Sequence, residues 1–261
     1  MRSVLIGCCG FPVPKRIYLE DFNLVELQYT FYKLPRTSTV KKWREEVPRD
    51  FTFTVKAFQG ITHPPSSPTW RRSNVKPNSR YGNLQPTEEV FRSWSSTLEI
   101  CRILDAPICV IQTPYSFEEN ERNVKNIKEF FRTVELDDLK IAFEFRGWSR
   151  DTVRDLCSRL NLIHVVDPFV STPSWTLNGE IAYFRLHGSP PGPHPYVYRY
   201  TNADLLRLLD LVINTEARIV YVLFNNVGMF EDARRFKKLL SRRLRTTKSP
   251  TGDRSSSSLG S

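Results

Sequence analysis

The stretch IAYFRLHG, residues 181–188, decides how the rest of the chain is read. Its apolar alternation ends in Arg185 and His187, which lie two apart and so on one face of an extended strand. Gly188 follows, then a run rich in proline. An apolar strand whose last same-facing residues are ionisable has the form of a barrel stave that delivers chemistry at its carboxyl end. The same pattern recurs along the chain in both directions.

Upstream, residues 4–8, 24–28, 51–57, 108–112, 140–146 and 162–166 read as strands, and 182–187 and 218–224 complete the set. Helical periodicity or a capping residue follows most of them. Thr37 or Ser38 opens a helix to about residue 47, and Thr87, with Glu88 and Glu89 in the first turn, opens one to 104. Ser116 and Glu119 have the spacing of a capping box for a helix reaching 131. Ser149 caps a helix to 160, Thr201 an amphipathic one, and a last helix covers 230–244. After the sixth strand, residues 169–180 lack helical periodicity, so no helix is expected there.

Eight strands joined by crossovers long enough to keep them parallel predict an α/β fold, a (β/α)8 TIM-type barrel with some helices replaced by loops. A doubly wound open sheet is the alternative, and the absence of a Gly-rich phosphate fingerprint after any strand counts against it. The whole of residues 1–245 is expected to form one domain. The low-complexity stretch 246–261 is expected to be a disordered tail or a cloning remnant. Residues 59–86 carry five prolines together with His63, Arg71, Arg72, Lys76 and Arg80, which predicts either a functional lid or a disordered loop.

At 261 residues, 40% hydrophobic and 12% aromatic, the chain can bury a sizeable core, which excludes disorder for most of its length. No apolar run approaches the roughly 20 residues of a membrane span, so the reading is a soluble, cytoplasmic protein with no membrane partner. Five cysteines without CxxC spacing point to buried free thiols. Thirty-eight basic against 28 acidic residues give a net charge of +10 and favour an anionic partner, a small molecule or nucleic acid. Part of that excess crowds the last helix.

Polar residues gather at the carboxyl ends of the predicted strands: Glu26, Gln28, Lys56, Gln112, Glu144, Arg146, Asp167, Arg185, His187, Asn225 and Asn226. The amino ends supply almost nothing comparable. That one-sidedness locates a site, although inward charges can also neutralise one another as structural pairs such as Glu144 with Arg185 or Asp167 with Arg146. Read functionally, His187, Glu144, Glu26 and Asp167 are the catalytic candidates, with His187 able to move protons near neutral pH. Arg146 and Arg185 suit a bidentate grip on phosphate or carboxylate. Lys56 could clamp an anion, or form a Schiff base if burial lowers its pKa. Gln112, Asn225 and Asn226 would orient a substrate, and Tyr32 and Trp148, with Phe31, Tyr196 and Tyr198, would wall the pocket or stack on a ring. Glu26, Glu144, Asp167 and His187 would also suit magnesium or manganese better than zinc, so a divalent cofactor is neither required nor ruled out. His63 and His194 are expected in exposed loops and His164 in the core, while Cys8 and Cys9 sit at a strand exit as small packing residues.

Five ordered motifs, VELQYTFYKLP, FTFTVKA, FEFRGWS, YFRLHG and VLFNN, resemble the family called domain of unknown function 72, or YecE-like. The resemblance covers residues 4–240. It implies a TIM barrel and places the family's motif residues at Glu26, Thr30, Phe31, Tyr32, Lys56, Glu144, Arg146, Trp148, Arg185, His187, Gly188, Asn225 and Asn226. Two departures touch only the pocket wall: Gly10-Phe11 stands where glycine and tryptophan are usual, and QTP at 112–114 where QLP or QFP is. The family name carries no reaction. The expectation from the residues is a hydrolase or lyase acting on a phosphorylated or polyanionic substrate, most concretely a nucleic-acid phosphodiester. A metal-assisted sugar-phosphate isomerase or epimerase and a non-catalytic nucleic-acid-binding module are the alternatives.

Overall fold

Eight parallel strands close on themselves in sequence order in the computed structural model, which describes residues 3–188 and 195–246. They are β1 (Ser3–Cys9), β2 (Leu24–Leu27), β3 (Thr52–Lys56), β4 (Ile108–Gln112), β5 (Lys140–Glu144), β6 (Ile163–Val166), β7 (Ile181–Leu186) and β8 (Ile219–Phe224). Pairing of β1 with β8, from Ser3 opposite Ile219 to Cys8 opposite Phe224, seals the barrel and removes the open-sheet alternative. Outside lie α1 (Lys15–Asp21), α2 (Tyr29–Tyr32), α3 (Thr37–Glu45), α4 (Glu88–Leu104), α5 (Glu121–Thr133), α6 (Arg150–Arg159), α7 (Asn202–Ile213) and α8 (Met229–Thr246). The predicted gap is real, since no helix lies between β6 and β7.

The period of two divides each strand between two cores. In β7, Ala182, Phe184 and Leu186 face the helices, whereas Ile181 and Tyr183 join Leu24, Ile108, Val110, Ala142, Ile163, Val165, Tyr221 and Leu223 inside the barrel. Tyr183 and Tyr221 stack there, 5.4 Å between centroids. Parity therefore places Arg185 inside, directly above Tyr183. The opposite end is closed by aliphatic side chains, with Leu177 as a plug, so the polar groups collect at the carboxyl ends. At Gly7 the strands approach so closely that a Cβ would lie 2.3 Å from the carbonyl oxygen of Leu24.

Several sequence readings are corrected. Ser116 and Glu119 form no capping box: α5 is capped by Asn120, whose Oδ1 accepts from Asn123 N at 2.9 Å. Glu119 instead accepts from Ser149 N at 2.6 Å and Ser149 Oγ at 2.9 Å, bridging to the start of α6. Helices α1 and α2 were not legible, the first because only Tyr18 among its seven residues is buried, the second because it is one turn long. Residues 59–86 are an ordered loop. Gly82 N, Asn83 N and Leu84 N donate to the carbonyls of Gly60, Thr62 and Ile61 at 2.8–3.0 Å, and Trp70 Nε1 donates to Pro64 O at 2.9 Å. These bonds tie both ends of the excursion together, as in a compact Ω-loop. The tail from residue 247 and His194 lie outside the described residues.

Candidate active site

Arg185 organises the mouth of the barrel. It is fully buried, yet its guanidinium meets acceptors in every direction. Nε and Nη2 donate to Glu26 Oε2 and Oε1 at 3.1 and 2.9 Å, and Nη1 donates to Gln112 Oε1 at 2.8 Å and to Glu144 Oε2. Nη2 also lies 3.9 Å from Cys9 Sγ. Burial disfavours the charge, but Glu26 and Glu144 outweigh it and hold the guanidinium well above its ordinary pKa. The direct anion grip expected of Arg185 is thus corrected, because its donors are committed to carboxylates that would otherwise repel an anion. The structural pair foreseen between Glu144 and Arg185 is present, whereas Arg146 pairs with Glu144 rather than Asp167.

Glu26 is equally enclosed. Besides Arg185, it accepts from Tyr183 Oη at 2.9 Å and from Gln28 Nε2, and Tyr183 Oη in turn meets Thr54 Oγ1 at 2.8 Å. With both oxygens engaged beneath the surface, Glu26 neutralises the buried Arg185. Tyr183 and Thr54 were missed in sequence, although both lie two residues before a predicted site residue on the same strand face.

A cavity of about 810 Å³ opens beside this pair, lined by Glu144, Arg146, Trp148, Asp167, His187 and Tyr196 among others. Arg146 donates from Nε and Nη2 to Glu144 Oε1, both at 3.2 Å, which leaves Nη1 outside the pair. Its guanidinium carbon lies 5.4 Å from the Tyr115 ring, an exposed aromatic that sequence reading passed over. His187 Nε2 lies 3.3 Å from Glu144 Oε1, without hydrogen-bond geometry, and Nδ1 lies 3.1 Å from Asn225 Nδ2. Burial raises the pKa of Glu144, but Arg185, His187 and Arg146 outweigh it and hold the carboxyl well below the usual range. Such a carboxylate is a poor proton acceptor and favours positive charge on the groups beside it.

Asp167 lines the cavity, but its oxygens accept from the backbone N–H groups of His187 and Phe169 at 2.9 and 3.0 Å. It braces the end of β7, and burial lifts its pKa despite these donors. Asn226 Nδ2 donates to Tyr198 O and Asp232 Oδ2, both at 2.8 Å, which fastens the β8 exit to α8. Tyr32 lies in a separate hollow with Arg72 over its ring at 3.6 Å. Trp148 stacks on Phe117 and donates to Phe117 O at 2.7 Å, forming the cavity wall. His63, expected in solvent, is 5% exposed, bonded through Nδ1 to Thr62 Oγ1 at 2.8 Å, and packed on Phe31. Burial, and secondarily Lys56, push its pKa down to about 3. His164 is half-buried and lines the same cavity, with Nδ1 accepting from Ser174 N at 3.0 Å.

The four residues considered for a divalent ion do not make a ligand set. Arg185 stands between Glu26 and Glu144, and among the described residues no three His, Cys, Asp or Glu side chains converge around a common point suited to a metal.

This arrangement has relatives. The family model described as "Protein of unknown function DUF72" matches residues 16–255. The chain belongs to that family. UPF0759 protein YunF of Bacillus subtilis (strain 168) is 27% identical to this DUF72 chain over 133 residues, 51% of the chain and 42% of the relative. The match thus spans less than half of that relative's length. A DUF72 family protein from Enterococcus faecalis V583 superposes with a TM-score of 0.72 at 21% identity, covering 92% of this chain and 98% of that one. The barrel is also shared, as fold alone, with a xylose isomerase domain protein from Planctomyces limnophilus and with endonuclease IV from Thermus thermophilus. Their TM-scores are 0.55 and 0.52 at 11% and 13% identity; each covers 94% of the DUF72 chain, over 95% and 100% of their own lengths. Among the described residues, no helix is long and apolar enough to cross a membrane.

Proposed function

We propose that this protein is an enzyme that performs general acid–base chemistry on a phosphate-bearing molecule of nucleotide size or smaller, with His187 moving the proton. One observation carries the reading. His187, set between Glu144 and Asn225, lines the same cavity as Arg146, a guanidinium that meets Glu144 through Nε and Nη2 and Tyr196 at the cavity wall. Arg146 supplies the grip on the anion. Glu144, 3.3 Å from Nε2, stabilises the charged ring that forms when the imidazole takes a proton. A nucleic-acid phosphodiester presents the same chemistry on a longer chain.

The test is a panel of sugar phosphates, nucleotides and labelled DNA and RNA, assayed for binding and conversion. His187→Ala should lower turnover by roughly 100-fold or more while leaving binding nearly intact, and Arg146→Met should weaken binding of phosphate-bearing ligands. No binding by the wild type, or equal turnover by His187→Ala, would overturn the reading.

A further inference from the structure

Lys56 takes no part in the chemistry above. It ends β3 with its side chain inside the barrel, two residues beyond Thr54, whose hydroxyl reaches Tyr183 there. The residue is 6% exposed. Among the described residues no hydrogen bond or ion pair to Nζ is found, and its contact is the face of the Phe31 ring, 4.1 Å from the centroid. Burying an ammonium without a carboxylate partner is expensive. Glu26 and Glu144 favour the charge but pair with Arg185 rather than with Nζ, and burial together with Arg185 outweighs them. The charges that act on it are those of Arg185, Glu26, Glu144 and Arg146, and His63 packs against the Phe31 ring. A lysine whose only role was packing would be replaced by methionine without loss.

We propose that Lys56 is a covalent site whose ε-amine condenses with the carbonyl carbon of a small aldehyde or ketone that also carries an anionic group. The nitrogen adds to the carbonyl carbon, one N–H proton passes to the carbonyl oxygen, and the resulting hydroxyl leaves as water with the second N–H proton, giving an imine. Nothing is oxidised or reduced. The surroundings suit both ends of the step, since Arg146 attracts the anionic group while Arg185 and Arg146 disfavour a positive charge at Nζ. Burial first, then Arg185, lowers the amine's pKa to about 7. At neutral pH that leaves roughly a thousandfold more neutral amine than in an unperturbed lysine. The proposal goes beyond the acid–base reading and does not rest on it.

Borohydride trapping on the full chain tests it, with glyceraldehyde 3-phosphate, dihydroxyacetone phosphate, pyruvate and unphosphorylated glyceraldehyde as probes. Hydride from the reagent reduces the imine to a stable amine, which peptide mass mapping locates. The expected result is one adduct per chain, on Lys56, formed about tenfold or more faster than on other lysines, with the anionic probes ahead of glyceraldehyde. Trapping should rise as pH passes 7 and then level. Labelling spread evenly over surface lysines, or absent from Lys56 with every probe, overturns the proposal, and the map on wild-type protein needs no variant. Lys56→Arg should abolish the adduct with the fold intact by circular dichroism. Because trapping needs no turnover, its failure leaves the role of His187 standing, and a silent His187→Ala leaves the imine standing.

Discussion

Arg185 lays Nε and Nη2 along the two carboxylate oxygens of Glu26, at 3.1 and 2.9 Å, with both side chains fully buried. A buried pair of this kind stabilises little relative to apolar packing, but removing one partner leaves an uncompensated charge. Here one guanidinium serves two carboxylates. Arg185→Leu should therefore destabilise the protein by about 3–5 kcal/mol, and adding Glu26→Gln and Glu144→Gln should recover part of that loss. Urea unfolding of the single and triple variants checks it. Equal midpoints for wild type and Arg185→Leu would show that the two carboxylates take up protons at no cost.

Acid should weaken the fold in two stages. His164 is held down to about 4, by burial first and then by Arg150. The unfolded chain binds a proton as pH falls through about 6.5 while the folded imidazole stays neutral, so stability is lost between those values. Glu144 has a depressed folded pKa, so its contribution is present above the unfolded carboxyl value and lost as pH falls below about 4.5. Urea midpoints recorded from pH 7 to 3 should fall through both ranges. His63, held down to about 3 by burial first and then Lys56, loses stability over the same range and beyond, so His164→Gln should shrink the upper stage, His164→Gln with His63→Gln should flatten it, and Glu144→Gln should shrink the lower.

The barrel was legible because each stave obeys a period of two that needs no tertiary information: Ile181, Tyr183 and Arg185 share a face by arithmetic. The gathering of polar side chains at the carboxyl ends followed from the same rule. Which charges are available to a ligand did not follow, since that depends on partners from other strands. Arg146 and Arg185 look alike near the carboxyl ends of their strands, but only the structure shows Arg185 enclosed by Glu26, Gln112 and Glu144 while Arg146 lines the cavity beside Tyr196. Asn225 and Asn226 are adjacent and identical, and the turn after β8 sends one to His187 and the other to Asp232. The loop over residues 59–86 hid its order because its ties are backbone bonds between distant ends.

Gly82 is the residue that lets that loop close. Its φ is +84°, and a Cβ would lie 2.5 Å from the carbonyl carbon and oxygen of His63. Gly82→Ala should cost about 1–3 kcal/mol from backbone conformation and more from the clash. The loss should be local, because Trp70 and Leu84 anchor the loop rather than the barrel. Limited proteolysis should cut the variant within residues 59–86 well before the wild type, and identical cleavage rates would sink the argument.

Lys56→Met should make the protein more stable. The amine is held near 7 in the fold and returns to about 10.5 when the chain unfolds, so between those values the unfolded state binds more protons and stability rises with pH. At pH 7 nearly the whole penalty is present, on the order of 4 kcal/mol as an upper bound, offset in part by the contact with the Phe31 ring. Methionine fills the same space against that ring without a charge. The variant should therefore unfold at higher urea than wild type at pH 7, and the difference should shrink as pH is raised towards 10. A wild-type lysine that lowers stability while methionine fits would mark Lys56 as retained for its chemistry. A variant less stable than wild type at pH 7 would instead assign Nζ a partner that holds the fold together.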